Sequence, residues 1–145
     1  MNNNITGNVS IDNVGTIYAD GKFVSKITGW QVASPVTLLA NTTCVVIEGK
    51  TTGGVKGNDV GAILASFSNG ILTDESWQCI IRNAAKSQLV WPKAKSHARN
   101  NKRTGSVWIK QNSEKPVANI DGNATGIWTE NEKEENVTCR RSFGK

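Results

Sequence analysis

The chain has 145 residues, a net charge of +5 and an apolar content of 37%. A chain of this length suits one domain with one hydrophobic core, so we interpret residues 1–145 as a single domain. No window of about 18 apolar residues is present, which argues against a transmembrane helix, and the first residues lack the apolar stretch of a signal peptide.

The first predicted element is a β-hairpin. Residues 14–19 are rich in β-forming side chains, and residues 22–26 resume that pattern after Asp20-Gly21. Asp-Gly between two such runs is a strong signal for a two-residue hairpin turn. Strands are then predicted over residues 35–39 and 43–48, and the second is apolar enough for a central strand buried on both faces.

The remainder of the chain adds more short strands, over residues 60–67, 71–73, 77–81, 106–109, 126–129 and 136–140. Residues 82–105 are polar and basic, and we interpret them as a long irregular connection with a short helical turn near residues 84–87. Trp77 and Trp128 are interpreted as core residues. About ten short strands with glycine turns and no helical periodicity predict an all-β sandwich or barrel.

Three cysteines, Cys44, Cys79 and Cys139, are too far apart in sequence to resemble the paired ligands of a zinc site. One disulfide and one buried thiol are expected in an extracellular protein, whereas all three would be free thiols in a reducing cytosol. The sequence also contains a mild excess of possible N-glycosylation sites, at Asn4, Asn8, Asn41, Asn123 and Asn136. We therefore favour a secreted protein whose leader is absent from this chain.

The sequence offers few residues for catalysis. His97 is the only histidine and lies in a basic segment, where we interpret it as an exposed loop residue, whereas a nucleophile needs a base beside it. A glycoside hydrolase of the usual kind needs two carboxylates, for which Asp59, Asp74 and Glu75 could be imagined. Asp74 is better explained as a turn residue that accepts hydrogen bonds from nearby backbone. We therefore expect a binding protein and not an enzyme.

The positive charge lies in the second half of the chain. Residues 73–145 contain thirteen Lys or Arg against eight Asp or Glu, whereas the numbers balance at four each in residues 1–72. The densest basic segment could bind an acidic polymer through Lys93, Lys95, Arg99, Lys102 and Arg103. A solubilising loop explains the same residues, and we favour it; nucleic acid is not expected as a partner.

A sugar site needs an apolar ring that packs against the sugar's C–H face and planar polar groups that bind its hydroxyls, commonly on loops of a rigid scaffold. Trp30 follows the predicted hairpin and Trp91 lies in the long connection, so either ring could be the platform. Asn58, Asp59 and Arg82 stand near predicted strand ends and could bind the hydroxyls. These five residues are the predicted carbohydrate site.

Three motifs carry a family resemblance. The segment from Asp12 to Gly21 resembles the "D-x-x-x-L-Y-V-N-G" hairpin of galactose-binding-domain-like jelly rolls. Residues 60–70 with 73–79 are similar to a "G-I-L-A-S-F-S-D-G…T-D-x-S-W-K-C" signature, which we associate with such domains in secreted invertebrate proteins. The end of the chain, over residues 124–129 and 137–140, resembles the closing "A-x-W-I-W-T…V-Y-C-R".

The resemblance implies a jelly-roll β-sandwich in which Cys79 and Cys139 are bridged near one end and Cys44 is a buried free thiol. Domains of this kind accompany glycoside hydrolases, and some carry a structural calcium, although no acidic cluster in this sequence demands one. The sequence departs from the pattern at residues 13–15. No cofactor is expected.

These observations lead to three functional hypotheses. The first is a stand-alone lectin that binds glycans or glycoproteins and gains avidity as a homo-oligomer. The second is an extracellular matrix or adhesion module that binds acidic polysaccharides through the basic loop of residues 93–103. The third is a glycoside hydrolase that uses carboxylates such as Asp59 and Glu75.

Overall fold

The computed structural model describes residues 3–51, 60–99 and 117–144, with only the backbone of residues 98 and 99. These ranges form ten strands in two antiparallel sheets of five. The strands are β1 (Ile5–Asp12), β2 (Val14–Ala19), β3 (Lys22–Thr28), β4 (Ser34–Leu38), β5 (Cys44–Lys50), β6 (Ala62–Phe67), β7 (Gln78–Ile81), β8 (Lys95–Arg99), β9 (Thr125–Trp128) and β10 (Asn136–Ser142).

The strands are distributed between the sheets by repeated crossings of the chain. Sheet 1 has the order β4-β1-β6-β9-β8, and sheet 2 has the order β3-β2-β5-β10-β7. Most neighbours are distant in sequence, so hydrogen bonds link segments from both ends of the chain. The predicted all-β sandwich is confirmed, whereas the jelly-roll type stays a prediction.

The predicted hairpin is confirmed. Strands β2 and β3 pair antiparallel, and Tyr18 and Ala19 stand opposite Phe23 and Lys22 at the turn. Asp20 and Gly21 have φ values of 49° and 81°. Positive φ at both central positions is what a two-residue turn needs to match the twist of its strands, and Asp and Gly tolerate it.

The core lies between the sheets and takes side chains from both. Ile11 and Ile63 of sheet 1 and Ile17 and Ile47 of sheet 2 have no exposed surface, and each contributes on the order of 1.5–3 kcal/mol through burial. Trp77 and Trp128 are also fully buried, as predicted.

Two glycines make room for the indole of Trp128. A Cβ added at Gly49 would lie 2.7 Å from this ring, and one at Gly61 would lie 2.3 Å from it. Both distances are shorter than carbon atoms tolerate. Small residues at these positions are therefore part of how the core accommodates its largest side chain.

The long connection predicted after β7 differs from the structure. Strand β8 lies inside residues 82–105, which we interpreted as an irregular connection, and it pairs with β9 at the edge of sheet 1. A polar edge strand with a bulge lacks the apolar alternation that the prediction required. The expected short turn is present as a 3-10 helix over Arg82–Ala84.

Strand β5 is central but is not buried on both faces. Val45 and Ile47 are buried, whereas Val46 and Glu48 alternate with them and are half-buried. One face of β5 therefore meets the core and the other meets solvent. Strand β1 was not predicted, although the alternation of Ile5, Val9 and Ile11 with polar residues is visible in the sequence. The strand predicted over residues 106–109 lies outside the described ranges.

Candidate functional site: a groove on the outer face of sheet 2

The disulfide that the resemblance implied is confirmed. Cys79 and Cys139 are bonded and stand directly opposite each other on the neighbouring strands β7 and β10. The bridge lies at the middle of β10 and not near one end. Cys44 is the free cysteine, as implied, but it is half-buried and not fully buried because it faces outward at the start of β5.

Sheet 2 carries a group of polar side chains on the face that points away from the core. Residues directly opposite each other in antiparallel strands share a face, and the register aligns Lys26 and Glu48 on either side of Thr16. Tyr18 follows Thr16 on the same face, because side chains alternate along a strand. The buried residues Ile17 and Ile47 mark the opposite face.

Glu48 is the centre of this group. The Tyr18 hydroxyl donates a hydrogen bond to Glu48 Oε1 at 3.2 Å. The guanidinium of Arg82 approaches the same carboxylate, with Nη2 at 3.3 Å from Oε1. Arg82 lies directly after β7, at the far edge of sheet 2, so its side chain reaches across to the middle strand β5.

Burial and the Glu48 carboxylate raise the pKa of the Tyr18 phenol, while the positive charge of Arg82 opposes this shift. The phenol therefore stays protonated and remains a donor at neutral pH. The Tyr18 ring also packs edge-on against Phe23, with ring centres 6.4 Å apart, and Phe23 is 64% exposed. An open aromatic ring thus stands beside the polar group.

Tyr18, Glu48 and Arg82 line a groove of about 300 Å³. Lys26 and Lys50 stand on its walls together with Arg82, and Glu48 is the single carboxylate among its described lining residues. The groove therefore combines donors, one strong acceptor and a net positive charge. We call it the Tyr18–Arg82 groove.

A second hollow adjoins the groove at Arg82, which lines both. This polar cleft has a volume of about 630 Å³ and presents the amides of Asn83, Asn131 and Asn136 beside the charged residues Lys133, Glu134 and Glu135. An amide offers both a donor and an acceptor. Arg82 thus connects an aromatic, charged groove to a cleft that is rich in amides.

The structure separates Trp30 from Arg82. Trp30 is half-buried and packs on a small apolar cluster that includes Leu64 and Ile120. Leu64 belongs to sheet 1 and alternates with the core residues Ile63 and Ala65, so this cluster covers the outer face of sheet 1. Trp30 and Arg82 therefore lie on opposite sides of the sandwich and do not form one pocket.

Trp91 does not present an open ring face. It is 6% exposed, and the guanidinium carbon of Arg140 lies 3.8 Å from its ring centre. Its indole N–H donates to the carbonyl of Gln88 at 2.9 Å. Because the ring is buried and one face is occupied, this geometry argues against the expected role of Trp91 as a sugar platform.

The other predicted site residues are placed only in part. Asn58, Asp59, Lys102 and Arg103 lie outside the described ranges. Lys93 and Lys95 are exposed near the start of β8, and Arg99 ends that strand. Two exposed lysines therefore lie near the start of β8, and the acidic-polymer patch stays a prediction.

His97 is not the exposed loop residue that the sequence suggested. Its side chain is 14% exposed and lies on β8, with Nδ1 at 3.2 Å from Glu132 Oε1. Its other ring nitrogen is 3.1 Å from the carbonyl oxygen of Thr129. His97 thus ties the edge strand to the segment after β9.

The described residues contain no group of three or more His, Cys, Asp or Glu side chains that could hold a metal ion. Asp74 accepts a hydrogen bond from the Ser76 amide at 2.8 Å, as expected of a turn residue. In the part of the chain that the structure covers, none of the helices has the length and apolar character needed to span a bilayer.

Sequence reasoning identified Arg82 and missed its partners Tyr18 and Glu48. Both partners belong to predicted strands, at positions that alternate with buried residues. That alternation could have placed them on an outer face. It could not have shown that this face is also the one that Arg82 reaches, because the register of distant strands is not visible in one sequence.

Comparison with protein-family models, with curated proteins and with solved structures gives no match for this chain. The resemblance to galactose-binding-domain-like jelly rolls therefore stays a prediction.

Proposed function

We propose that this protein binds carbohydrate without catalysis, and that the Tyr18–Arg82 groove is the site. The observation that carries the proposal is the shared contact of Tyr18 and Arg82 with the Glu48 carboxylate in an open groove. These contacts hold the carboxylate in place before any ligand arrives, and such preorganisation favours binding.

A sugar presents apolar C–H groups and polar hydroxyls, and the side chains in and beside the groove could contact both. The exposed ring of Phe23, next to Tyr18, offers an apolar plane for C–H groups. Glu48 can accept from hydroxyls and Arg82 can donate to them, since a carboxylate has about four lone-pair sites and a guanidinium has five N–H groups. The amides of the adjoining cleft would extend contact to a second sugar unit.

A hydrolase is less consistent with this groove. Hydrolysis of the usual kind needs a second carboxylate roughly 5–10 Å from the first, on the other side of the bond that breaks. Among the described lining residues of the groove itself, Glu48 has no such partner. Glu134 and Glu135 line the adjoining cleft, and assay of a chromogenic glycoside tests whether either of them serves as one. Glu75, one of the carboxylates considered from sequence, lines a different hollow beside Lys93 and Arg140.

A second candidate function is the binding of acidic saccharides. Lys26, Lys50 and Arg82 outnumber the one carboxylate in the groove, which gives it a net positive charge. An anionic sugar would gain from this charge, and its binding would weaken as salt screens the attraction. This candidate uses the groove, whereas the sequence hypothesis of an acidic-polymer site used the loop of residues 93–103.

The test is a glycan array probed at about 0.15 M and about 1 M salt, because screening separates charge pairing from neutral contacts. Binding to neutral glycans that persists at high salt supports the lectin, and binding confined to acidic glycans supports the second candidate.

Arg82→Ala and Glu48→Gln should each weaken binding at least tenfold, equivalent to about 1.4 kcal/mol. Lys22→Ala, on the hairpin turn outside the groove, is the matched control.

Loss of glycan binding in Arg82→Ala but not in Lys22→Ala would identify the groove as the glycan-binding site. Glycan binding that survives both groove variants would place the site elsewhere and overturn the proposal. Turnover of a chromogenic glycoside would overturn the non-catalytic part.

We further propose that the protein is secreted and acts as a homo-oligomer. The Cys79–Cys139 disulfide supports an oxidising compartment, because such bonds persist mainly outside the cytosol. One groove per chain would bind weakly, and several copies would raise the avidity. Sedimentation analysis of the purified protein tests the oligomer, and fractionation of cells that produce it tests secretion.

A further inference from the structure

Two neighbouring apolar side chains project from the surface between β7 and β8. Leu89 is 92% exposed and Val90 is 79% exposed. Single exposed apolar residues are common, but adjacent ones at this exposure on a loop are not explained by packing. We call them the Leu89–Val90 tip.

The backbone of the tip is held to the body of the protein. Arg140 Nη2 donates to the Leu89 carbonyl at 3.4 Å and so links the tip to β10. Within the loop itself, the Gln88 side-chain amide donates to the Val90 carbonyl at 3.1 Å. The next residue, Trp91, is buried. The two apolar side chains are therefore presented outward by an anchored segment.

The hollow on the Arg140 side of the tip is basic, whereas the hollow that Gln88 and Pro92 line has mixed charge, with Lys93 and Lys95 beside Glu75, Glu130 and Glu134. Arg140 also lines a hollow of about 740 Å³ together with Lys93 and Arg141, where Glu75 is the single carboxylate among the described lining residues. The described side chains from Ser76 to His97 include four Lys or Arg and no Asp or Glu. An apolar projection thus stands beside a concentration of positive charge.

We propose that the Leu89–Val90 tip and the adjoining basic hollow form a docking surface for an anionic lipid bilayer. Apolar side chains that enter the boundary between headgroups and acyl chains contribute through burial, and nearby Lys and Arg are attracted to anionic headgroups. The tip supplies the first contribution, and Lys93, Arg140 and Arg141 supply the second. This surface is distinct from the Tyr18–Arg82 groove and does not depend on the function proposed for it.

A bilayer suits this shape better than a protein partner does. A stable protein interface buries about 800 Å² on each partner and has a packed centre, whereas the tip is two side chains on a convex loop. A bilayer deforms around a small projection and offers negative charge over a wide area. The observations therefore favour a lipid surface over an acidic protein.

The experiment is co-sedimentation of the full chain with phosphatidylcholine vesicles, with and without phosphatidylserine. We expect binding only to vesicles that contain phosphatidylserine. The L89S/V90S variant should bind about tenfold more weakly or worse, since loss of even part of two apolar insertions amounts to more than about 1.4 kcal/mol. The V32S/L39S variant is the control, because Val32 and Leu39 are 78% and 66% exposed elsewhere.

A second variant, K86Q/K93Q, removes exposed positive charge near the tip and should weaken binding most at low salt, where screening is weakest. Unchanged binding by L89S/V90S would overturn the proposal, as would equal loss in V32S/L39S. Binding to neutral vesicles as strong as to anionic ones would overturn its electrostatic part. Failure of the wild-type chain to bind any vesicle would overturn it altogether. A circular dichroism melt of each variant confirms that it folds.

Discussion

The guanidinium carbon of Arg140 lies 3.8 Å from the ring centre of Trp91. The same side chain donates from Nε to Gln78 Oε1 at 3.0 Å and from Nη2 to the Leu89 carbonyl. One residue of β10 therefore holds both the edge strand β7 and the segment that follows it. A cation above an indole contributes roughly 0.5–2 kcal/mol, so this contact is one of several that support residues 82–92, beside the hydrogen bond from the Cys79 amide to the Pro92 carbonyl.

Replacing Arg140 with alanine should loosen this segment without unfolding the sandwich. We expect faster amide hydrogen exchange in residues 82–92, and a free energy of unfolding lower by about 1–2 kcal/mol. Arg141→Ala is the control, because the Arg141 guanidinium donates to Ser76 and Ser142, whereas the guanidinium that lies over the Trp91 ring is that of Arg140. Equal exchange in the two variants would show that the Trp91 contact does not anchor the segment.

The fold could be predicted from sequence where the signal is local. The hairpin around Asp20-Gly21 needed only a turn preference and two β-rich runs, and the structure confirms it. Strand β8 could not be found in this way, because its polar residues pair at a sheet edge and their strand conformation depends on the partner β9. Pairing between distant segments is a tertiary effect that overrides local preference.

The candidate site could likewise be predicted only in its local features. Arg82 was predicted because a charged residue stands directly after a strand, which is a local feature. Its contact with Glu48 depends on the order β5-β10-β7 in sheet 2, and that order is not local. The burial of Trp91 was likewise hidden, because the residue that covers it, Arg140, comes from β10 and is distant in the sequence.

The Cys79–Cys139 disulfide should be a major contributor to stability. It joins residues that are 60 positions apart, and both cysteines are buried in the core. Removing a disulfide from a small domain typically lowers the free energy of unfolding by about 2–5 kcal/mol. We expect a loss in this range for the C79A/C139A variant in urea denaturation.

Reducing agent separates the effect of the bond from that of the substitutions. It should destabilise the wild-type chain and leave C79A/C139A unchanged. Cys44→Ala should lower stability by less than about 1 kcal/mol, since Cys44 is half-buried and outside the core cluster. A wild-type chain whose urea midpoint is indifferent to full reduction would contradict the predicted contribution.

Asp20 should make stability depend on pH in the acid range. The Thr43 hydroxyl, followed by the Thr43 amide, donates to its carboxylate and lowers its pKa. A depressed pKa in the folded state contributes stability above the unfolded value, about 3.9, and this contribution is lost as the pH falls toward the folded value. The comparison is between wild type and Asp20→Asn, which retains an amino acid suited to the positive φ of 49° at this position.

The melting temperature of wild type should exceed that of Asp20→Asn at neutral pH, and the difference should shrink as the pH falls below about 4. Asp121→Asn provides a control, because Asp121 is another exposed turn residue that accepts from a backbone amide, that of Asn123. A difference between wild type and Asp20→Asn that is constant from neutral to acid pH would exclude the carboxylate's charge as its cause.

Tyr18 reports directly on the proposed binding groove. It is the only tyrosine in the chain, so the ultraviolet absorbance of its phenolate measures its pKa without overlap from another tyrosine. Desolvation and the Glu48 carboxylate raise this pKa, and Arg82 lowers it.

Glu48→Gln should therefore bring the pKa of Tyr18 down toward the ordinary value of about 10, whereas Arg82→Ala should raise it above that of wild type. Lys22→Ala, whose side chain lies outside the groove, should leave the titration close to that of wild type. Shifts of the same sign in the two groove variants would mean that Tyr18, Glu48 and Arg82 do not meet in solution, and the groove would lose its organising contact.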